Sequence, residues 1–292
     1  MSTKKKILFI ANPISGSGHK IDFHNAISQN LDTSRFDWSL YYTTARGDAT
    51  RRAQEASNGT YHAVIAIGGD GTINEVAQGL VYTDTCMGII PNGSGNGLSK
   101  HLRISNDIPA AITQLNHATP QLIDTGWFND QLFLNVAGIG FDAQVAHAFD
   151  TFGKRGLFSY ILLSIKEFGQ FSPSTCKIKV DGKKLKAKAF ILTIANGSQY
   201  GNNAYIAPKA QVTDGYLDLV VIEPLRFWQW ITFPIQLFGK SLDTTSRYRF
   251  AKGKKITIKS KYTKAQLDGE PIQAADKNHI EIKPKSLKML IP

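Results

Sequence analysis

Residues 63–81, AVIAIGGDGTINEVAQGLV, join an apolar run to a helical pattern through a loop that contains three glycines. The run at 63–67 predicts a buried β-strand, and the spacing of apolar residues over 73–81 predicts a helix. The glycines let backbone N–H groups approach an anion closely, and the N-terminus of the following helix adds a partial positive charge. This order of strand, loop and helix predicts a phosphate-binding turn at the edge of a sheet.

The same alternation runs through the first half of the chain. Strands are predicted at residues 7–11, 38–43, 63–67 and 87–90, and helices at residues 19–30, 48–57, 73–81 and 108–115. Such alternation predicts a parallel sheet that is covered by helices on both faces. Ligands of these sheets bind beyond the carboxyl ends of the strands. We therefore predict an α/β domain over residues 1–125, and leave open whether residues 285–292 return to it.

Two more Gly-rich loops follow predicted strands. NPISGSG at 12–18 comes after the first strand, and PNGSGNG at 91–97 comes after the fourth. One such loop is weak evidence, because glycine also serves plain turns. Three of them at one edge of one sheet favour a phosphate cradle built from backbone N–H groups.

The second half, residues 126–284, has the pattern of an all-β domain. Short strands are predicted at residues 132–136, 177–180, 186–195, 217–222, 255–260 and 279–282, with one helical region at 154–168. Asp-Gly pairs, which are typical of tight turns, separate many of the strands. This pattern predicts a β-sandwich.

Charge and composition narrow the possible partners. Residues 126–292 hold 24 Lys and Arg against 13 Asp and Glu, so the whole net charge of +11 lies after residue 125. This asymmetry indicates either a polyanionic partner or a highly soluble surface. Cys86 and Cys176 stand alone in unrelated segments, which suits a reducing cytosol. The apolar run at 7–11 is too short for a signal peptide, and prolines and charges interrupt residues 219–238, so no membrane-crossing segment is expected.

The glycine-rich stretch GGDGTINE at 68–75 resembles the signature of the diacylglycerol kinase catalytic-domain superfamily, which includes bacterial lipid kinases, sphingosine kinases and ceramide kinases. Further similar motifs follow the family's order along nearly the whole chain: Asn12-Pro13-x-Ser15-Gly16, Pro91-x-Gly93-Ser94-Gly95-Asn96, Asp124-x-Gly126, Asn135-x-x-Gly138-x-Gly140-Phe141-Asp142, Ala207-Pro208 through Asp214-Gly215, and Leu267-Asp268-Gly269-Glu270. The resemblance implies a nucleotide-binding α/β domain like that of NAD kinases, followed by a lipid-binding β-sandwich domain over residues 126–284.

The resemblance also implies roles for individual residues. ATP would be surrounded by Asn12, Gly16, Thr44, Gly68, Gly69, Asp70, Gly71, Thr72, Asn74, Gly93 and Ser94. Asp70, with Asp124 as a second member, would join the Mg²⁺ and water network that neutralises the triphosphate. A structural metal would be bound by the Asp214 side chain and by the backbone carbonyls of Gln211 and Tyr216.

Asp268 and Glu270 are the predicted catalytic pair. Their spacing in a strand would put both carboxylates on one face, and neighbouring carboxylates raise one another's pKa. One of them would accept the proton of the substrate hydroxyl, while the other orients it or a magnesium ion. The alternative is that Asp268-Gly269 is only a hairpin turn.

The part of the protein that contacts lipid is predicted from four aromatic residues, which lie near basic strands: Phe227, Trp228, Trp230 and Phe233. Aromatic rings and cations favour an anionic membrane surface, and residues 157–168 are similarly apolar. Core packing or a homodimer contact is the alternative. We expect a cytoplasmic protein that associates peripherally with the inner face of the membrane. The resemblance implies diacylglycerol or a sphingoid base as the substrate, and Gly93-Ser94-Gly95-Asn96 resembles the sphingoid-base kinases more.

Two other classes of protein share parts of this sequence pattern. NAD kinases share the Gly-Gly-Asp-Gly-Thr sequence and a two-domain plan, but their substrate is soluble. A basic nucleic-acid-binding protein would leave the three Gly-rich loops unexplained, and the lysine-rich strands lack the interleaved aromatics of a nucleic-acid groove. No nucleic-acid partner is therefore expected.

Overall fold

The computed structural model describes residues 4–16, 21–152 and 157–292. The chain divides into two compact units, one formed by Met1–Ile123 with Lys285–Pro292 and the other by Asp124–Pro284. The last strand, Lys277–Ile291, contributes residues to each unit.

The first unit alternates strands and helices. In chain order these are β1 Lys5–Ala11, α1 Phe23–Asn30, β2 Phe36–Tyr42, α2 Asp48–Ala56, β3 Ala63–Gly68, α3 Asp70–Leu80, β4 Cys86–Pro91, α4 Gly97–His101 and α5 Ile108–Leu115. Strands β2, β1, β3 and β4 lie side by side in that order and are parallel, and Met289 near the C-terminus pairs with Met87 of β4. The predicted parallel sheet is confirmed.

Burial explains the composition of these strands. Every residue of β3 and β4 is buried, and so are residues 7–11 of β1. Strands that are covered on both faces need continuous apolar sequence rather than an alternating pattern. Asp22 and Asp107 cap α1 and α5 by accepting hydrogen bonds from the backbone N–H groups of Asn25 and Ala110.

The second unit is built mainly from strands. In chain order its elements are β5 Thr119–Phe128, which begins in the first unit, β6 Gln131–Phe133, β7 Val136–Gly140, α6 Phe141–Phe152, α7 Leu157–Phe168, β8 Ser174–Val180, β9 Lys183–Ala189, β10 Ile191–Ala195, β11 Leu217–Ile222, α8 Gln229–Phe238, β12 Tyr248–Gly253, β13 Lys255–Lys259, β14 Lys264–Leu267, β15 Glu270–Gln273 and β16 Lys277–Ile291. A short 3₁₀ turn, Leu242–Thr244, follows α8.

Two antiparallel layers form the sandwich. One layer has the order β16, β13, β8, β9, and the other has the order β12, β11, β10, β7, β14, β15. Alternate residues of both layers, such as Ile178, Ile256, Leu192 and Leu219, pack into one buried cluster. The predicted β-sandwich is confirmed.

Several predicted boundaries were wrong. Helix α3 begins at Asp70 rather than at residue 73, because Gly69 acts as the N-cap and Ile73 N–H already donates to its carbonyl. The predicted strand 186–195 is two strands in different layers, since the chain leaves the first layer at Phe190. The predicted strand 132–136 is likewise divided between β6 and β7.

Three helices were not predicted: α4, α6 and α8. The predicted helix 154–168 is α7 over the residues described, and the start of the predicted helix 19–30 partly lies outside them. Across the described ranges, no helix combines the length and the apolar character that crossing a membrane requires.

Candidate active site

The loops that follow β1 and β3 are joined at the carboxyl edge of the first unit's sheet. The Asn12 N–H group donates to the Ile67 carbonyl at 3.0 Å, which extends the β1–β3 pairing by one residue. Its side-chain Nδ2 donates to Thr72 Oγ1 at 3.3 Å, and its Oδ1 accepts from Ile14 N–H at 3.0 Å. Asn12 therefore fixes the first loop against the first turn of α3.

The loop after β4 meets the other two. Asn92 N–H donates to the Gly68 carbonyl, and Asn92 Nδ2 donates to Ser15 Oγ at 3.0 Å. Gly16 has φ +91°, and a Cβ atom there would stand 2.7 Å from Asn92 Oδ1. The close approach of these loops therefore requires glycine at position 16.

Gly69 and Gly93 bring the second and third Gly-rich loops into backbone contact. A Cβ atom at Gly93 would lie 2.6 Å from the Gly69 Cα atom and 2.8 Å from Asn96 Oδ1. No side chain fits at Gly93 unless the loop moves. The close approach of these two loops therefore depends on glycine at this position.

Asp70 ties the third loop to the start of α3. Its two carboxylate oxygens accept hydrogen bonds from the backbone N–H groups of Asn96, at 3.0 Å, and Gly97, at 3.1 Å. Asn96 has φ +52°, a conformation that asparagine tolerates better than most residues, and its side chain bridges back to both backbone groups of Gly93. Asp70 thus positions a loop in addition to any part that it plays at a metal.

Thr44 is held in place by the N-terminal turn of α2. Its N–H and hydroxyl groups donate to Asp48 Oδ2 at 2.9 and 3.2 Å. The Thr44 N–H group, the Arg51 guanidinium and the Tyr41 hydroxyl together lower the pKa of Asp48 to about 2. Glu75 of α3 accepts from Gly47 N–H at 3.0 Å, so the Thr44 loop is also tied to the helix that follows the glycine-rich stretch.

The remaining predicted nucleotide contacts lie on the same loops or on α3. Gly71 and Asn74 are half-buried in α3, where Asn74 Oδ1 accepts from Gln78 Nε2 at 2.7 Å, and Ser94 is exposed in the third loop. The structure thus places the first-unit residues of the predicted set on the three Gly-rich loops, on the loop after β2 and on α3.

In the second unit, Asp268 and Gly269 form the tight turn of a hairpin. Their φ angles are +50° and +90°, and they join β14 to β15, so that Leu267 pairs with Glu270. The prediction that Asp268 and Glu270 share one face of a strand was wrong. A two-residue turn with both φ values positive reverses the chain between them, and Asp-Gly is a favoured sequence for it.

The Asp268 carboxylate is buried and accepts three backbone hydrogen bonds. The donors are the N–H groups of Leu134 and Asn135, both at 2.8 Å, and of Val136, at 3.0 Å. Asp268 therefore anchors the hairpin to the start of β7. Glu270, two residues later, is exposed.

A chain of polar contacts runs from this turn into the unit. Gln266 Oε1 accepts from Gly269 N–H at 2.8 Å, and Gln266 Nε2 donates to Asp142 Oδ2 at 3.3 Å. Tyr200 OH also donates to Asp142 Oδ2, at 3.2 Å. Burial raises the pKa of Asp142 to about 6, against the opposing effect of these hydrogen bonds.

Asp124 holds the loop at 211–216. Its backbone N–H donates to the Val212 carbonyl at 2.7 Å, and its side-chain Oδ2 accepts from Gly215 N–H at 2.6 Å. Asp124 is completely buried. These two hydrogen bonds stabilise the conformation of the loop.

The structural metal implied for this loop does not fit the side chains present. Asp214 Oδ1 accepts from Tyr216 N–H at 3.0 Å, and Asp214 Oδ2 pairs with Lys252 Nζ at 2.8 Å. Lys252 Nζ also lies 3.2 Å from Asp218 Oδ1. Burial alone would lower the pKa of Lys252, but the two carboxylates raise it. The Lys252 ammonium group therefore supplies, beside Asp214, the positive charge that a metal ion would supply. Gln211 is exposed.

Mg²⁺ bound with a triphosphate has a less demanding ligand requirement. In such sites the ion takes one or two protein carboxylates, and phosphates and water complete the shell. Among the residues described, no three His, Cys, Asp or Glu side chains cluster as a metal site. Asp70 fits as a single carboxylate ligand, because the two oxygens of an ionised carboxylate together offer about four acceptor positions.

Some participants were not among the predicted site residues: Asp48, Asn92, Asn96, Asp142, Gln266 and Lys252. Both asparagines stand inside a Gly-rich loop, and Asn96 adopts a positive φ angle, which asparagine tolerates readily. Asp142 and Lys252 act through partners that are distant in sequence, so their spacing gives no indication of their roles. Asp48 acts on Thr44, four residues earlier.

Two family models match the chain. The diacylglycerol kinase catalytic domain matches residues 6–128, and the YegS C-terminal NAD kinase beta sandwich-like domain matches residues 135–291. The chain belongs to the family of diacylglycerol kinases and YegS-like lipid kinases.

Individual relatives agree with this placement. The chain is 32% identical to a protein named "Probable lipid kinase YegS-like" from Pseudomonas putida, over 93% of this chain and 90% of the relative. It is 29% identical to a diacylglycerol kinase from Bacillus subtilis, over 91% of this chain and 90% of the relative. A solved structure of a diacylglycerol kinase from Bacillus anthracis, 23% identical, covers 100% of this chain and 98% of its own, with a TM-score of 0.74. That last likeness supports the fold alone.

Proposed function

We propose that this protein transfers the γ-phosphoryl group of ATP to a hydroxyl group of a membrane lipid, either diacylglycerol or a sphingoid base. The observation that carries the proposal is the convergence of three Gly-rich loops at one edge of the parallel sheet, where Asn12 contacts Thr72, Asn92 contacts Ser15 and Gly69 contacts Gly93. Family membership supports the same reaction.

The first unit binds the nucleotide in this proposal. Backbone N–H groups of the loops and the N-terminal end of α3 stabilise the phosphates, because their partial positive charges face the polyanion. Asp70 holds the third loop in position and supplies a carboxylate to Mg²⁺, which neutralises negative charge on the triphosphate when it is bound. Thr44, Asn74 and Ser94 complete the nucleotide contacts.

The hairpin that contains Asp268 and Glu270 provides the proton acceptor. As the lipid oxygen forms its bond to the γ-phosphorus, the bond to ADP breaks and the hydroxyl proton passes to a carboxylate of this pair. The three N–H groups that bind Asp268 keep the turn rigid, and exposed Glu270 is open to solvent and substrate. Both residues are required, but only Asp268 also supports the fold.

The place of action is the inner face of the membrane, with the protein attached peripherally. The excess of +11 charges in residues 126–292 favours an anionic lipid surface. The metal implied at Gln211, Asp214 and Tyr216 takes no part in this proposal.

A panel of acceptors tests the proposal. The protein is incubated with Mg²⁺, γ-labelled ATP and one acceptor at a time: vesicles with diacylglycerol, vesicles with a sphingoid base, or NAD in solution. We expect label in the chloroform phase with one of the lipids and none in NAD. Labelled NADP without labelled lipid would instead make the protein an NAD kinase.

A further inference from the structure

Helix α8, Gln229–Phe238, has an apolar side chain on nearly every face, although it lies at the surface. No residue of this helix is buried. Trp230, Phe233 and Leu237 form one stripe, spaced by three and four residues, that packs against the core cluster of Phe190, Ile191, Val220 and Ile222. The Trp230 ring lies 4.1 Å from the Phe168 ring, centroid to centroid. These contacts attach α8 to the core of the second unit.

A second row of apolar side chains on the same segment is exposed to solvent. Phe227 is 88% exposed, Ile231 71% and Ile235 69%, and Trp228 and Phe238 are also exposed. Phe227 and Trp228 lie in the turn immediately before α8, and Ile231, Ile235 and Phe238 lie in the helix. The five residues recur at helical spacing, so they form a single face opposite the packed stripe. A contiguous apolar patch of large side chains on a protein surface marks a binding surface.

The charged residues within this segment of the chain are both basic. Residues 224–242 contain Arg226 and Lys240 at the two ends of the helix and no Asp or Glu. The nearest acidic residues on either side, Glu223 and Asp243, are paired with Arg249 and Lys209, at 3.0 and 2.8 Å. The Arg226 guanidinium lies over the Trp228 ring, and Lys240 Nζ lies over the Tyr205 ring. The exposed apolar face is therefore flanked by cations.

We propose that the face of α8 formed by Phe227, Trp228, Ile231, Ile235 and Phe238 inserts into the interfacial region of an anionic lipid bilayer. Apolar side chains enter the acyl layer, Trp228 lies at the headgroup level, and Arg226 and Lys240 contact anionic headgroups. A second copy of the chain would also bury the apolar face, but an interface between two copies would bring the like charges of the helix ends toward each other. This inference rests on the proposed function, since it names the surface that brings the kinase to its lipid.

Vesicle binding without ATP tests the surface independently of catalysis. The double variant Ile231→Glu/Ile235→Glu is compared with Tyr82→Glu/Leu122→Glu, which alters two exposed apolar residues of the other unit in the same way. Sedimentation with phosphatidylglycerol vesicles should show at least a tenfold loss of binding for the α8 variant and less than a twofold change for the control. All proteins should bind phosphatidylcholine vesicles less, and added salt should weaken binding of the wild type.

A second readout is the quenching of tryptophan fluorescence by lipids. Brominated lipids in the vesicles should quench the fluorescence of Trp228, and the variant Trp228→Phe should lose most of that quenching. Equal vesicle binding by the α8 variant and its control, or no quenching assigned to Trp228, would overturn the proposal. If the wild type is a dimer, the α8 variant is a monomer and vesicle binding is unchanged, the face binds a second copy of the chain and not a membrane.

Failure of the proposed function would look different. Transfer of label to a short-chain acceptor dispersed below its micelle concentration does not need a membrane. The α8 variant should keep that activity within about twofold of the wild type. Absence of transfer in every protein, with vesicle binding still dependent on α8, would reject the kinase reaction and leave the membrane surface standing.

Discussion

The backbone N–H group of Asn96 donates a 3.0 Å hydrogen bond to the Asp70 carboxylate, and this bond joins the loop after β4 to the first turn of α3. Gly97 N–H donates to the other oxygen of the same carboxylate. One side chain therefore sets the relative position of two of the three loops that we assign to ATP.

Asp70→Asn is expected to weaken ATP binding roughly 10- to 100-fold, because a hydrogen bond to a charged group contributes about 1.5–3 kcal/mol. The amide presents an NH₂ group to one of the two N–H donors, so one bond is lost and the third loop shifts. Phosphoryl transfer should fall below detection, while the chain stays folded. Calorimetric titration with ATP measures the affinity. Asp84→Asn, at an exposed site of the same unit, is the matched control, and wild-type turnover by Asp70→Asn would refute both roles of this residue.

Asp268→Asn and Glu270→Gln are expected to separate structure from chemistry. Both should lower transfer by about 10²-fold or more, the usual contribution of a positioned acid or base. Only Asp268→Asn should also lower the melting temperature, because its carboxylate accepts three backbone N–H bonds and Glu270 is exposed. Initial rates and thermal unfolding of the two proteins check this. A Glu270→Gln enzyme with the wild-type rate would remove Glu270 from the mechanism.

Asp142 gives the stability of the second unit a specific pH dependence. Its pKa is about 6 in the folded chain and 3.8 in the unfolded reference, so the folded state holds the proton more tightly. Stability should therefore fall as pH rises from about 4 to 7, by on the order of 3 kcal/mol from this group. Asp142→Asn keeps an acceptor for Tyr200 and Gln266 but does not titrate, so its stability should lack this fall.

Urea unfolding at pH 4.5 and pH 7.5 measures the difference between the two proteins. Asp150→Asn, at an exposed position of the same helix, should follow the wild type at both pH values. Parallel stabilities of wild type and Asp142→Asn across this range would show that Asp142 is ionised in the folded protein throughout.

Lys252 should make the loop at 211–216 independent of metal ions. Neither EDTA nor millimolar Mg²⁺ or Ca²⁺ is expected to change the melting temperature of the nucleotide-free wild type. Lys252→Met leaves the buried Asp218 carboxylate beside Asp214 without its cation, a loss on the order of 3 kcal/mol. Added Ca²⁺ should restore part of that stability in the variant.

The control for this experiment is Lys259→Met, which removes an exposed ammonium group from strand β13 of the same unit. It should unfold within about 1 kcal/mol of the wild type and show no response to metal. Stabilisation of the wild type by Mg²⁺, reversed by EDTA, would mean that the loop binds a metal in spite of Lys252.

Local pattern was enough to predict much of the fold. The strand Leu217–Ile222 and the helix Ile108–Leu115 were predicted to the residue, because apolar runs and helical spacing are local properties. The three loops were predicted as neighbours because parallel strands put their carboxyl ends at one edge.

The errors occurred where tertiary contacts override local pattern. Helix α8 has apolar residues on two faces and a proline at position 234, so it lacks the single stripe that identifies a surface helix. The chain passes from one layer of the sandwich to the other at Phe190, within a single apolar run of sequence. Asp268 was assigned to a strand because its turn geometry is not visible in the spacing of two carboxylates.

The fate of the α- and γ-phosphorus of ATP tests the central claim most directly. The wild-type protein is incubated with Mg²⁺, lipid vesicles and ATP that carries label at one of the two positions, and the lipid is extracted and counted. The account predicts that γ label enters the extracted lipid in proportion to the ADP formed and that α label does not. Label in the lipid from α-labelled ATP, or ATP consumption with no labelled lipid from either form, would contradict it.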